Sequence, residues 1–185
     1  GESLRTPALR AAVEGVVETL LVAAPRGSRV AGIGFVDPGI VDPENGLSLY
    51  STLFPHWRDV PIRSMLGERF GLPVHLSNTP QAKATAEFLF GTARRRPDFI
   101  FIEFGEGLAC GIYSGGRLVT GAGMMAGEFG HTHILGRDDP CECGGRGCLE
   151  ALVSLRALGR RVRGLLGVGR FWPSAGDPRP VDLPA

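Results

Sequence analysis

The stretch Gly127–Glu150, GEFGHTHILGRDDPCECGGRGCLE, holds three of the chain's four cysteines and two of its four histidines. Thiolates and imidazoles gathered this tightly, among glycines that let the backbone fold back on itself, meet the needs of a tetrahedral zinc site. Cys141-Glu142-Cys143 and Cys148 form a C-x-C-x4-C run, with His131 ten residues before Cys141. The spacing predicts zinc held by His131, Cys141, Cys143 and Cys148. His133 competes with His131 for the fourth place, and ordinary buried thiols are the metal-free alternative. Four protein ligands leave no open position for water, so the metal is expected to be structural and not hydrolytic.

Outward from this stretch, composition sets the bounds. The chain has 185 residues and a formal charge of +1. That length supports one medium domain or two small ones with a substantial core, so size alone does not require a metal. The near balance of charge lacks the basic footprint of a nucleic-acid-binding module. No apolar run approaches the roughly 20 residues needed to span a bilayer, and the opening GESLRTPALR is too polar for a signal peptide. The expectation is a soluble, cytoplasmic chain without a membrane partner. Cys141 and Cys143 are too close to pair readily, and Cys110 lies in an apolar, glycine-flanked context, so a reducing compartment and metal ligation fit better than disulfides.

Periodicity supplies the elements. Thr6 as N-cap and Pro7 at the first helical position open a helix to about Ala24, with Leu9, Ala12, Val13, Val16, Leu20 and Leu21 on its apolar face. Val30 to Val36 reads as a buried strand closed by Asp37-Pro38-Gly39. Ile40 to Trp57, rich in turn formers, reads as a loop with at most one short irregular strand. Pro61 to Phe70 is a helix, Val74 to Ser77 a strand, and Gln81 to Phe90 a third helix entered through Asn78, Thr79 and Pro80 and capped by Gly91. Arg94-Arg95-Arg96 reads as a solvated loop. Phe99 to Ile102 and Leu108 to Tyr113 are strands around a turn at Glu103 to Gly107, and Ser114-Gly115-Gly116 makes a hairpin into Arg117 to Val119. Leu149 to Leu166 reads as one helix with Leu152, Leu155, Leu158 and Val162 apolar; the Pro-rich sequence after Gly167 supports no regular element. Helix and buried strand in alternation define an α/β chain.

Gly127-Glu128-Phe129-Gly130-His131 followed by CECGGRGCLE at Cys141–Glu150 resembles the signature of the ROK family, the repressors, open reading frames and sugar kinases. The similarity extends upstream through Gly32-Ile33-Gly34, Asp37-Pro38-Gly39, Trp57-Arg58-Asp59-Val60-Pro61, Gly71-Leu72-Pro73-Val74 and Ala86-Glu87, covering roughly residues 28 to 160. The resemblance implies the actin-like, ribonuclease H-like ATPase fold, partial in this chain and carrying a zinc knuckle, with a sugar bound between two α/β units. Residues 1–79 would then be part of the first unit, 80–166 the second with the knuckle, and 167–185 a tail. It also implies a sugar site at Asn78, Glu128, His131 and Glu150. Carboxylates accept from paired hydroxyls, an amide donates and accepts, and a metal-bound imidazole donates from its other nitrogen. The local alternative is that Glu128 caps a turn and Glu150 favours a helix start.

Two positions depart from the kinases of that family. The aspartate that follows their asparagine, and serves as base toward the sugar hydroxyl, is Thr79 here, which has no proton-accepting state near neutral pH. Their phosphate-cradling Gly-Thr-Gly is Gly105-Glu106-Gly107, which sets a negative charge where phosphate would lie. Their N-terminal phosphate motif and C-terminal adenosine stretch are not in this sequence. The pattern is similar to the regulator branch, and implies a sugar-effector and oligomerisation part of a transcriptional regulator, a homo-oligomer that reaches DNA only through a domain outside this chain. An ATP-dependent sugar kinase is the alternative, and a zinc-stapled scaffold that binds no sugar is a third reading.

Overall fold

The computed structural model describes residues 6–51 and 57–167; the Pro-rich tail, like the first five residues, lies outside them. Helix α1 (Thr6–Val22) stops short of the expected Ala24. Its inward line also differs from the expected face. Leu9, Val13, Val17 and Leu21 pack on the core, whereas Val16 and Leu20 are 60% and 65% exposed. Steps of four residues keep the first set in register along the helix, and Val16 and Leu20 form the neighbouring line that faces outward.

Strand β1 (Ile33–Asp37) runs parallel to β5 (Val74–Asn78), from Ile33 opposite Val74 to Asp37 opposite Asn78. Between them the chain does not simply loop. Strands β2 (Ile40–Asp42), β3 (Leu47–Tyr50) and β4 (Arg58–Val60) form an antiparallel sheet, which corrects the reading of Ile40 to Trp57 as largely irregular. Its signal is weak in sequence because a strand position that faces inward is a serine. Ser48 is fully buried, donates to the buried Asp37 carboxylate at 2.7 Å and accepts from the Trp57 indole N–H at 2.9 Å. The β2–β3 turn is held by the Asp42 carboxylate, which accepts from the N–H groups of Glu44 and Asn45, both at 3.0 Å. Helix α2 (Ile62–Phe70) follows Pro61 and buries Ile62, Met65 and Leu66 against Trp57, Val60, Val74 and Leu76.

Asn78 ends β5 and caps helix α3 (Thr79–Phe90): its side-chain oxygen accepts from the Gln81 N–H at 3.0 Å, satisfying one of the donors a helix start leaves open. Helix α3 lies on the antiparallel sheet β6 (Phe99–Phe104), β7 (Leu108–Ser114) and β8 (Arg117–Val119). Phe88 of α3 stacks on Tyr113 at 4.6 Å between ring centroids, and Tyr113 on Phe99 at 5.0 Å. Strand β6 continues through Glu103 and Phe104, which still pair with Ala109 and Leu108, so the turn shrinks to Gly105-Glu106-Gly107. The other face of β6 presents Ile100, Ile102 and Phe104, each more than half exposed.

The single helix expected over Leu149–Leu166 is two, α4 (Leu149–Val153) and α5 (Leu155–Leu166). Ser154 breaks it: this residue is buried, leaves helical geometry, and its hydroxyl accepts from the Ala157 N–H at 3.3 Å as the cap of α5. A serine that competes for the backbone in this way ends one helix and starts the next. The expected apolar line is split in consequence. Leu152 is buried, while Leu155 and Leu158 are 44% and 41% exposed.

Candidate functional site

The glycines of the Gly127–Glu150 stretch serve close approach. Gly127 has φ +99°, and a Cβ there would lie 1.9 Å from the carbonyl oxygen of Cys110. Its own carbonyl accepts from the Cys110 N–H at 2.9 Å, which fastens the stretch to β7. Phe129–His131 then form a single 3-10 turn that delivers His131 toward the cysteines. Gly147, at φ +71°, lets the chain return beneath the His133 ring.

His131, Cys141, Cys143 and Cys148 each offer a ligating atom within 4.8 Å of the others. The His131 Nδ1 is 3.7 Å from the Cys141 Sγ, and the Cys143 and Cys148 sulfurs are 3.8 Å apart. Tetrahedral ligands on zinc–sulfur bonds of ~2.3 Å stand about 3.8 Å from one another, so the four side chains fit a metal of this kind. His133 is not in that group: its Nδ1 lies 3.0 Å from the Arg146 carbonyl oxygen. Without an ion, burial pushes the Cys141 thiol up to about 12, and burial likewise raises Cys148. Burial also acts on Cys143, but there hydrogen bonds, beginning with the Gly145 N–H at 3.4 Å, prevail and lower it. Three sulfurs crowded at this separation cannot all ionise unless a cation joins them.

Beside the knuckle a cavity of about 350 Å³ opens between the α3 start, the Gly105–Gly107 turn and the α4–α5 junction, within the range of small-molecule sites. Glu128, His131 and Glu150 line it, and so does Thr79. Asn78 does not: it is buried behind Thr79 with its side-chain oxygen engaged in the α3 cap. Of the two local alternatives, the one for Glu150 holds, since it lies in the first turn of α4, and the one for Glu128 does not. Glu128 makes no cap bond to the 3-10 turn and stands with one carboxylate oxygen 3.8 Å from the His131 Nε2. Burial raises its pKa, the His131 imidazole opposes that shift, and the Glu150 charge adds to it. Glu150 accepts from the Leu108 N–H at 2.7 Å across the turn. The Thr79 hydroxyl donates to the Asp37 carbonyl at 3.4 Å.

Three further cavity residues, Glu103, Glu142 and Arg156, escaped the sequence reading. Arg156 donates from Nε to Glu106 at 2.6 Å and from Nη1 to Glu142 at 2.5 Å. The negative charge that Glu106 brings to the turn is therefore paired with Arg156. In sequence Arg156 is one of several basic residues on a helix, and its role depends on the break at Ser154.

The family model of the ROK family matches residues 3–179. The xylose repressor of Caldicellulosiruptor bescii is 40% identical over 145 residues, 78% of this chain and 36% of that protein. The glucokinase of Thermotoga maritima is 34% identical over 151 residues, 82% of this chain and 47% of its own length. Among solved structures, a ROK family transcriptional regulator, a homologue of the E. coli MLC protein, superimposes with a TM-score of 0.77 at 28% identity, over 92% of this chain and 43% of that one. A ROK family glucokinase from Streptomyces griseus, in complex with glucose and AMPPNP, gives 0.73 at 31% identity over 85% and 50%. This chain thus spans between about a third and a half of the length of these relatives, and they divide between repressors and kinases. With the knuckle, the cavity and the α/β elements that carry them, the match over residues 3–179 makes this chain a member of the ROK family.

Proposed function

We propose that the chain is the sugar-binding effector and oligomerisation part of a ROK-type transcriptional regulator, built on part of an actin-like fold. Zinc held by His131, Cys141, Cys143 and Cys148 is structural: it fixes the 3-10 turn so that the free face of the imidazole and Glu128 confront the ligand. Glu128, His131 and Glu150 bond the sugar hydroxyls. Asn78 acts from behind, through the α3 start that it caps and through its amide. DNA is reached through a domain outside this chain, and sugar binding shifts the balance between two arrangements of a homo-oligomer and so its operator affinity.

The observation that carries this reading is Thr79. It lines the cavity where the kinases of the family are expected to place an aspartate base, and its hydroxyl already donates to the Asp37 carbonyl. Such a group holds a sugar without activating it. The repressor names among the relatives support the same side. The alternative, an ATP-dependent sugar kinase of the glucokinase or N-acylhexosamine kinase type, is favoured by the glucokinase relatives. Calorimetry with D-xylose, D-glucose and N-acetylglucosamine, followed by the same sugars with MgATP, separates the two. Saturable binding without turnover is the expected result. Steady ADP release that depends on sugar would overturn the regulator reading.

A further inference from the structure

We infer that the cavity selects its sugar by charge, admitting unphosphorylated sugars and refusing sugar phosphates, with Glu106 and Glu142 as the discriminating residues. The inference rests on the sugar-binding reading above and specifies its ligand class. The wall of the cavity carries five carboxylates, Glu103, Glu106, Glu128, Glu142 and Glu150, against a single guanidinium, Arg156. The charge of that guanidinium is already countered twice, because it bridges Glu106 and Glu142 at 2.6 and 2.5 Å. The bridge as a whole keeps one negative charge.

The two backbone donors that flank the turn's tip are engaged as well. An anion-cradling turn needs N–H groups aimed at the ligand, yet the Gly105 N–H donates to the Gly107 carbonyl at 3.0 Å and the Leu108 N–H to Glu150 at 2.7 Å. The acceptors, by contrast, are in excess. Glu103 takes the Lys83 ammonium at 2.5 Å on one oxygen and leaves its other oxygen buried without a partner. A buried acceptor of this kind gains from a hydroxyl or amine donor and is penalised by a phosphate oxygen, which is itself only an acceptor. A phosphate monoester brings up to two negative charges near pH 7. Against several carboxylates at an effective dielectric of about 20, that repulsion is expected to weaken binding at least about a hundredfold.

Calorimetry on the whole chain, with D-glucose and N-acetylglucosamine each compared with its 6-phosphate, tests the inference. Whichever free sugar binds should do so at least about a hundredfold more tightly than its 6-phosphate in low salt. Raising the ionic strength from about 0.01 to 1 M shortens the screening length from ~30 to ~3 Å and should narrow that ratio about tenfold. The double substitution Glu106→Gln with Glu142→Gln, which releases Arg156, should narrow it at least as much. The salt series needs no variant, so misfolding of the double substitution cannot hide the answer. Equal binding of sugar and phosphate overturns charge selection, and so does a wide ratio that neither salt nor substitution changes, which would indicate exclusion by shape. Binding of none of the sugars, D-xylose included, sinks the sugar-binding reading itself, an outcome distinct from both.

Discussion

The core under β1 and β5 and the knuckle between His131 and Cys148 lie in one chain and are ordered by different forces. Ile62 and Leu66 are fully buried among Trp57, Val60, Val74 and Leu76; each such side chain contributes ~1.5–3 kcal/mol by leaving water. The knuckle has almost no such material. Cys143 is exposed and Cys141 half-buried, and its ion pairs, Arg146 with Asp138 and Arg137 with Asp139, stand in solvent, where such pairs stabilise little. It is held by two β-bridges and turns through glycine, with four side chains that could hold a metal ion converging between them. One region is held by burial; the other has little of it and, on the reading proposed above, would depend on its ion.

The two can therefore be separated. The largest expected effect is on the knuckle: Cys141→Ser with Cys143→Ser takes the metal from about one ion per chain to none by elemental analysis, and abolishes sugar binding through the loss of His131's position. The cooperative unfolding of the core should persist in that variant; its disappearance would break the comparison. Next, Leu66→Ala should lower stability by ~3 kcal/mol in denaturant titrations and leave the metal content unchanged. Metal loss at native concentrations would show that the regions are coupled.

Trp57→Phe sharpens the picture of the core itself. It removes the indole N–H that bonds Ser48 at 2.9 Å and should cost ~1–3 kcal/mol, as expected when a buried polar group loses its partner. A neutral result would mean that the Asp37–Ser48 bond suffices alone. The smallest effect belongs to the junction where knuckle and cavity meet. Ser154→Ala removes the α5 cap and should cost about 1 kcal/mol, with a weakening of sugar affinity, because α5 carries Arg156 to its two carboxylates. Loss of stability with unchanged affinity would detach Arg156 from the site.

Most of the helices and strands were legible because their apolar residues recur at the periods of regular structure. The β2–β3–β4 sheet was not, since Ser48 reads as a surface residue until its bonds to Asp37 and Trp57 are seen. The break at Ser154 hid because apolar residues recur at helical spacing on both sides of it. The convergence of His131 with the three cysteines was readable from spacing, because such a group is closed by neighbours in sequence.

The sequence by itself determined the candidate metal-ligating set, the α/β succession and the threonine at position 79, all of which depend on residue identity and short-range spacing. Only the tertiary structure decided that Asn78 turns inward as a cap, that Glu106 is paired, and that Arg156 ties the Gly105–Gly107 turn to the knuckle through Glu142. Those facts join residues up to 50 positions apart. No local pattern encodes such a meeting, because it depends on where α5 is aimed after the break at Ser154.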